Sequence, residues 1–161
     1  METSSAGKAK AAKYLVCVDG RDESRVALRL ACMKARRRGS SVDMLHVITP
    51  ADFQTLGSIA DRMREERRNE GEQLLKTLSE EANRYDIVPS LLVREGPVGD
   101  EILAAALNDP DINIITIGVA HHSAGRGKLA AWLAGQLGSK LFVPILMVPG
   151  NLTDEQLETL A

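Results

Sequence analysis

The residues best suited to chemistry lie in the last third of the chain, directly after a short apolar run that ends at Gly118. The segment that follows carries two histidines, a pair of glycines and two cations, at His121, His122, Gly125, Arg126, Gly127 and Lys128. Parallel α/β domains often bind phosphate after such a run, because glycines let backbone N–H groups and a helix N-terminus face the anion. The pattern therefore predicts a nucleotide-binding loop. For Arg126 and Lys128 the open alternatives are a flexible solvated loop and binding, by charge, of a phosphate or of a partner's carboxylate.

Other chemistry in this segment is less well supported. Its two histidines, with Cys17 or His46, lack a second ligand pair at the usual spacing, so no metal is expected. Ser123 beside a histidine resembles a nucleophile with its base, but no Gly-x-Ser-x-Gly turn surrounds it. His46 falls inside an apolar run and is interpreted as an interior or rim histidine.

The elements that must position these residues alternate along the chain. Short apolar runs predict five strands, at Tyr14–Val18, Ser41–Ile48, Ile87–Val93, Ile112–Ile117 and Val143–Val148. Helical spacing predicts four helices between them. The first runs from an N-cap at Asp22 to a stop at Gly39, and the second from Gly57 to Tyr85. The third follows the turn at Gly96–Gly99 and is stopped at Asn108, and the fourth runs from Lys128 to Lys140. A capping box at Thr153 and Gln156 predicts a last helix, Asp154–Leu160. This alternation is typical of a parallel sheet with helices on both faces.

Two details of this pattern bear on the site. Pro89 lies within the predicted third strand, which makes that strand an edge candidate because proline cannot donate to a sheet. Ligands of such sheets bind beyond the carboxyl ends of the strands, so Asp19, which follows the first strand, is a candidate contact for a ribose or an adenine amine. A turn or cap residue is the equally weighted alternative for Asp19.

Composition limits the class of protein. The chain has 161 residues, of which 44% are hydrophobic and 3% aromatic, and a formal charge of -2. This charge and the scarcity of aromatic rings disfavour nucleic acid and anionic membranes as partners, and no run reaches the about 18 apolar residues that span a bilayer. Two cysteines in apolar segments suit reduced thiols of the cytoplasm. We expect a flexible tail at 1–12, one domain at 13–150 and a short helix at 151–161.

Five segments in order resemble the universal stress protein family. They are Val16-Cys17-Val18-Asp19-Gly20 followed by Ser24-Arg25-Val26-Ala27-Leu28, then Met44-Leu45-His46-Val47-Ile48, Arg94-Glu95-Gly96, Ile115-Thr116-Ile117-Gly118 and Pro144-Ile145-Leu146-Met147-Val148. The resemblance implies a doubly wound, open, parallel five-stranded sheet of order 3-2-1-4-5, Rossmann-like and similar to the adenine nucleotide alpha hydrolases. It also implies a homodimer, the usual state in the family, with some members binding ATP and others not.

This chain departs from the motif of the ATP-binding members. That motif is Gly-x2-Gly-x9-Gly-[Ser/Thr] after the fourth strand, and its positions here read Gly118, His121, Ala131 and Trp132. An indole stands where a hydroxyl would meet phosphate, and it has a single N–H donor. We interpret Trp132 as a packing residue in preference to a plug in the phosphate site.

Two functions remain open. The first is a dimeric stress-response protein that does not bind ATP in the usual way and has no enzymatic activity, or at most slow ATP hydrolysis. The second is a regulator that binds ATP or AMP through a modified loop at 118–128. The candidate nucleotide-binding residues are Asp19, Gly20, Val47, Gly118, His121, Gly125, Arg126, Gly127 and Lys128.

The predicted fifth strand also supplies a candidate dimer interface. In the order that the family resemblance implies, it is a hydrophobic sheet edge with unpaired backbone groups, and soluble proteins cover such edges. A second copy of the chain is the expected cover, through Val143, Ile145 and Met147.

Overall fold

The computed structural model describes residues 12–49, 57–120, 128–136 and 139–161. The strands are β1 (Lys13–Cys17), β2 (Ser41–Ile48), β3 (Ser90–Glu95), β4 (Ile112–Val119) and β5 (Ile145–Pro149). The helices are α1 (Asp22–Arg38), α2 (Ser58–Asn83), α3 (Val98–Asn108), α4 (Lys128–Gln136) and α5 (Asp154–Leu160). The predicted alternation of strands and helices is confirmed.

All five strands form one parallel sheet in the order β3-β2-β1-β4-β5. The chain winds from β1 outward through β2 to β3, then returns to the other side of β1 and continues through β4 to β5. The predicted doubly wound fold and strand order are therefore confirmed. Because the winding reverses between β1 and β4, the carboxyl ends of these two strands border the crevice in which ligands of such sheets bind.

The alternation of side chains along β1 divides the core between the two faces of the sheet. Tyr14 and Val16 pack with buried residues of α1 and α2, such as Leu28 and Leu78. Leu15 faces the opposite way and packs with buried residues of α3 and α4. Both faces are covered, which explains why the central strand β1 is apolar from Tyr14 to Cys17 without polar alternation.

Several predicted boundaries need correction. Pro89 precedes β3 instead of lying within it, so the edge position of β3 is right but the argument from proline is wrong. The N-cap of α1 is Arg21, and Asp22 is its first helical residue. The described part of α4 ends at Gln136, and residues 137 and 138 lie outside the described ranges. Val143 precedes β5, because the strand begins at Ile145.

The predicted helix ends are confirmed where glycine and a capping box mark them. Gly39 ends α1 in the left-handed conformation, at φ 64°, which a residue with a Cβ adopts only with strain. At α5, Thr153 Oγ1 accepts from the Gln156 N–H at 3.3 Å, and the Thr153 N–H donates to Gln156 Oε1 at 2.9 Å. Leu157 is fully buried beside Val148 and α1, so α5 closes the β5 side of the core.

Within the described ranges, no helix is both long and apolar enough to cross a membrane.

The capping box predicts a measurable contribution of α5 to stability. Thr153→Ala removes the cap acceptor and should lower the free energy of unfolding by about 1 kcal/mol. Thr159→Ala is the matched control, because Thr159 lies in the same helix and its hydroxyl only donates to the Glu155 carbonyl. Urea denaturation of both variants would measure the difference, and equal effects would contradict a role for the capping box.

Candidate functional site

A cavity of about 200 Å³ lies at the carboxyl ends of β1, β2 and β4, where the sheet changes winding direction. Asp19, Val47 and Gly118, three of the predicted nucleotide-binding residues, line it. An apolar wall comes from helices on one face of the sheet, through Val98 and Ile102 of α3 and Leu129 of α4. The opposite wall is the loop after β1 together with the first turn of α1, through Arg21, Glu23 and Ser24.

Asp19 organises the loop that leads from β1 into α1. Its Oδ1 accepts from the Arg21 N–H at 2.8 Å, and its own N–H donates to Ser24 Oγ at 3.2 Å. The Ser24 hydroxyl lies 2.8 Å from the Asp19 carbonyl, to which it donates. Asp19 is therefore a turn residue, one of the two alternatives raised by the sequence. Its side chain is 54% exposed, so a carboxylate oxygen stays accessible at the rim of the cavity.

Gly118 is required by packing. A Cβ at this position would lie 2.2 Å from the Glu23 carbonyl oxygen and 2.8 Å from the Ser24 nitrogen. Both are backbone atoms at the start of α1, which cannot move aside without shifting the helix. The sequence suggests glycine here for approach to phosphate, whereas the structure shows a helix backbone resting on it.

Trp132 packs against the first turn of α3. A Cβ at Gly99 would come within 2.6 Å of the indole Cε3 atom, so the ring occupies the space that a side chain at position 99 would need. Within the described part of the chain, Trp132 is not among the residues that line the cavity. This contact corresponds to the packing interpretation of Trp132. Ala131, beside it in α4, is exposed.

Of the other predicted residues, Gly20 is placed outside this cavity, and the side chains of the rest are not among those that the structure describes. Gly20 lines a separate cavity between β2 and α2, which has Val47 in common with the first. Lys128 is the first residue of α4. The remaining predictions lie outside the described residues, at His121, Gly125, Arg126 and Gly127.

Both thiols are poor nucleophiles at neutral pH. Burial, with a smaller contribution from the charge of Asp19, raises the pKa of Cys17 to about 12. Burial, with a contribution from Glu81, likewise raises the pKa of Cys32 to about 12. Since the thiolate is the reactive form, neither residue supplies nucleophilic chemistry to the cavity that Cys17 lines. Among the described residues, no group of His, Cys, Asp and Glu has an arrangement that could hold a metal ion.

Sequence reasoning did not identify most of the described cavity wall beyond Asp19, Val47 and Gly118. The sequence did carry a usable signal for Arg21, Glu23 and Ser24, namely their position after the first strand, because residues there border the crevice of such a sheet. Val98 and Leu129 carried none, since apolar residues in the first turn of a helix are common in any core.

The order of the sheet and the crevice between β1 and β4 define a doubly wound, Rossmann-like α/β protein. A model of the universal stress protein family matches residues 12–149. The chain belongs to the universal stress protein family.

Solved structures of the family share the fold. A universal stress protein from Burkholderia pseudomallei has a TM-score of 0.71 at 20% identity, covering 88% of this chain and 98% of that chain. The Archaeoglobus fulgidus protein in complex with dAMP has a TM-score of 0.63 at 22% identity, covering 86% and 98%. An Arabidopsis thaliana protein with AMP bound has a TM-score of 0.62 at 17% identity, covering 89% and 94%. No curated protein sequence matches this chain significantly.

The packing role of Gly118 predicts a loss of stability on adding one methyl group. Gly118→Ala should lower the free energy of unfolding by about 1–3 kcal/mol, because the new Cβ meets helix backbone. Gly135→Ala is the control: a Cβ there has no atom within 4 Å, and alanine favours the helix by up to about 1 kcal/mol. Urea denaturation of both variants measures the two changes. A neutral Gly118→Ala would contradict the packing argument.

Proposed function

We propose that this chain is a homodimeric universal stress protein whose cavity holds the adenine end of a nucleoside or nucleoside monophosphate, and which does not bind ATP in the usual way of the family. The observation that carries the proposal is the position of the cavity. It lies at the reversal of winding and is lined by Asp19, Val47 and Gly118. Structural neighbours solved with AMP and dAMP support the ligand class.

The size of the cavity supports a base in preference to a whole nucleotide. A cavity of about 150 Å³ accommodates a benzene ring, and this one measures about 200 Å³. Its apolar wall from α3 and α4 suits a flat ring, and the exposed Asp19 carboxylate at its rim can accept from a ribose hydroxyl or an exocyclic amine. The sugar and any phosphate would extend beyond the cavity.

The described wall offers little to a triphosphate. Two carboxylates line it, at Asp19 and Glu23, against one guanidinium at Arg21. The N–H groups of Asp19 and Arg21 already donate within the loop, to Ser24 Oγ and Asp19 Oδ1. A phosphate site needs free N–H donors and positive charge. Together with Ala131 and Trp132 at the motif positions, this supports binding without the usual triphosphate contacts.

Nucleotide binding is testable on the purified protein. At a hundredfold excess over its Kd, AMP should raise the melting temperature by about 5–10 °C, and ATP should raise it less. Val98→Trp places a large ring on the apolar wall of the cavity and should abolish the AMP shift. Val88→Trp is the matched control, because Val88 is 88% exposed and lies away from the cavity. Absence of an AMP shift, together with no nucleotide released on denaturation, would refute the nucleotide-binding part of the proposal.

Dimerisation is the second part of the proposal. Among the described strands, β5 pairs only with β4, and Met147 on it is 54% exposed. Phe142, just before the strand, is 89% exposed. An apolar sheet edge with unpaired backbone groups is a site of association, so Ile145 and Met147 are proposed to contact a second copy, with Val143 at the entry to the strand.

The dimer edge can be tested by placing a charge on each edge strand in turn. Met147→Lys should convert the dimer to a monomer in light scattering, because a lysine opposes edge-to-edge pairing. Leu91→Lys is the matched control on the other edge strand, β3, where Leu91 is 45% exposed. Loss of the dimer in Leu91→Lys alone would assign the interface to β3, and a monomeric parent protein would exclude a dimer altogether.

A further inference from the structure

His46 lies on the opposite face of the sheet from the cavity at the reversal of winding. Its neighbours in β2, Leu45 and Val47, both line that cavity, whereas the ring of His46 packs against Gly71 of α2. Side chains alternate between the two faces along a strand, which accounts for this division. An effect of His46 on a ligand in the cavity must therefore pass through the backbone.

The imidazole of His46 holds the backbone of β1 beyond its last paired residue. The pairing of β1 with β2 ends at Cys17 and Leu45, and the Val18 N–H donates to the Leu45 carbonyl at 2.9 Å. The Val18 carbonyl oxygen lies 3.0 Å from Nδ1 of His46. Because a carbonyl only accepts, Nδ1 carries the proton and donates to it.

This bond fixes one end of the peptide group that joins Val18 to Asp19. The other end of the same group is the Asp19 N–H, which donates to Ser24 Oγ at 3.2 Å. A peptide group is planar, so this one cannot rotate without losing one of the two bonds. The direction in which the Asp19 side chain leaves the backbone is therefore set in part by His46.

Helix α2 has a glycine where the ring rests. Gly71 is buried in the interior of this helix, where glycine is otherwise unfavourable. A Cβ there would lie 2.7 Å from His46 Cδ2 and 3.3 Å from Nε2. Without a side chain at position 71, the helix backbone lies close against the ring and limits its movement away from the Val18 carbonyl.

We propose that His46 is a positioning residue for nucleotide binding, an inference that rests on the proposed function of the cavity. Its Nδ1–H holds the peptide group between Val18 and Asp19, and this peptide group aims the Asp19 carboxylate at the ribose or the adenine amine of the ligand. His46 thus contributes to the affinity for AMP without touching AMP.

The test is a calorimetric titration of AMP into the parent protein and two variants at position 46. His46→Leu removes the donor and should weaken AMP binding by about three- to tenfold, the equivalent of one typical hydrogen bond. His46→Asn places an amide N–H close to the position of Nδ1 and should bind AMP within about twofold of the parent. Both variants lose ring contacts with α2, so equal losses of affinity would assign His46 a packing role only and overturn the proposal.

A double-mutant cycle separates an effect through Asp19 from a general loosening of the site. Asp19→Asn should weaken AMP binding by itself, because it removes the charge that accepts from the ligand. In the Asp19→Asn protein, His46→Leu should then weaken AMP binding by less than about twofold. Additive losses in the double variant would show that His46 acts independently of Asp19 and would overturn the proposal.

Gly71→Ala keeps the proposal testable if His46→Leu does not fold. The new Cβ should displace the ring from the Val18 carbonyl and weaken AMP binding, although alanine itself favours a helix. Gly135→Ala is the matched control and should leave AMP affinity unchanged, since a Cβ there has no atom within 4 Å. Unchanged AMP affinity in His46→Leu or Gly71→Ala would overturn this inference alone, and a parent protein that does not bind AMP would overturn it together with the proposed function.

Discussion

The site depends on the contact between Gly118 and the first turn of α1. A Cβ of residue 118 would lie 2.2 Å from the Glu23 carbonyl oxygen, so the end of β4 and the start of α1 can approach this closely only if residue 118 has no side chain. Gly150, after β5, repeats the constraint, because a Cβ there would lie 2.5 Å from Glu23 Cγ. The start of α1 is thereby held at the ends of two neighbouring strands, and the loop from β1 must turn sharply to reach it.

That turn accounts for the electrostatics of the cavity. Asp19 and Ser24 close the loop on itself, and their hydrogen bonds use the N–H groups of Asp19 and Arg21. Glu23 lies beside them in the first turn of α1. Its negative charge interacts favourably with the helix dipole but repels a bound anion. The geometry that forms the pocket therefore also occupies the N–H donors of Asp19 and Arg21 in the loop after β1.

Much of the fold could be predicted because strand and helix periodicities are local. The five apolar runs and the helical segments between them were sufficient for the sheet class, and the family resemblance supplied the strand order, which is confirmed. Errors fell at boundaries: Pro89 lies before β3, and Val143 precedes β5. Such limits depend on which backbone groups find a partner in the neighbouring strand, and a single strand's sequence does not encode its partner.

The candidate site was predictable only in part, for the same reason. By itself, the sequence placed the ends of β1 and β4 to within two residues. With the strand order that the family resemblance implied, this was enough to bring Asp19 and Gly118 to one edge of the sheet. Only the tertiary structure decided that Gly118 supports a helix, that Trp132 packs on Gly99, and that His46 packs against Gly71 of α2. These contacts join residues far apart in the chain, and whether a side chain has room is a property of its neighbours in space.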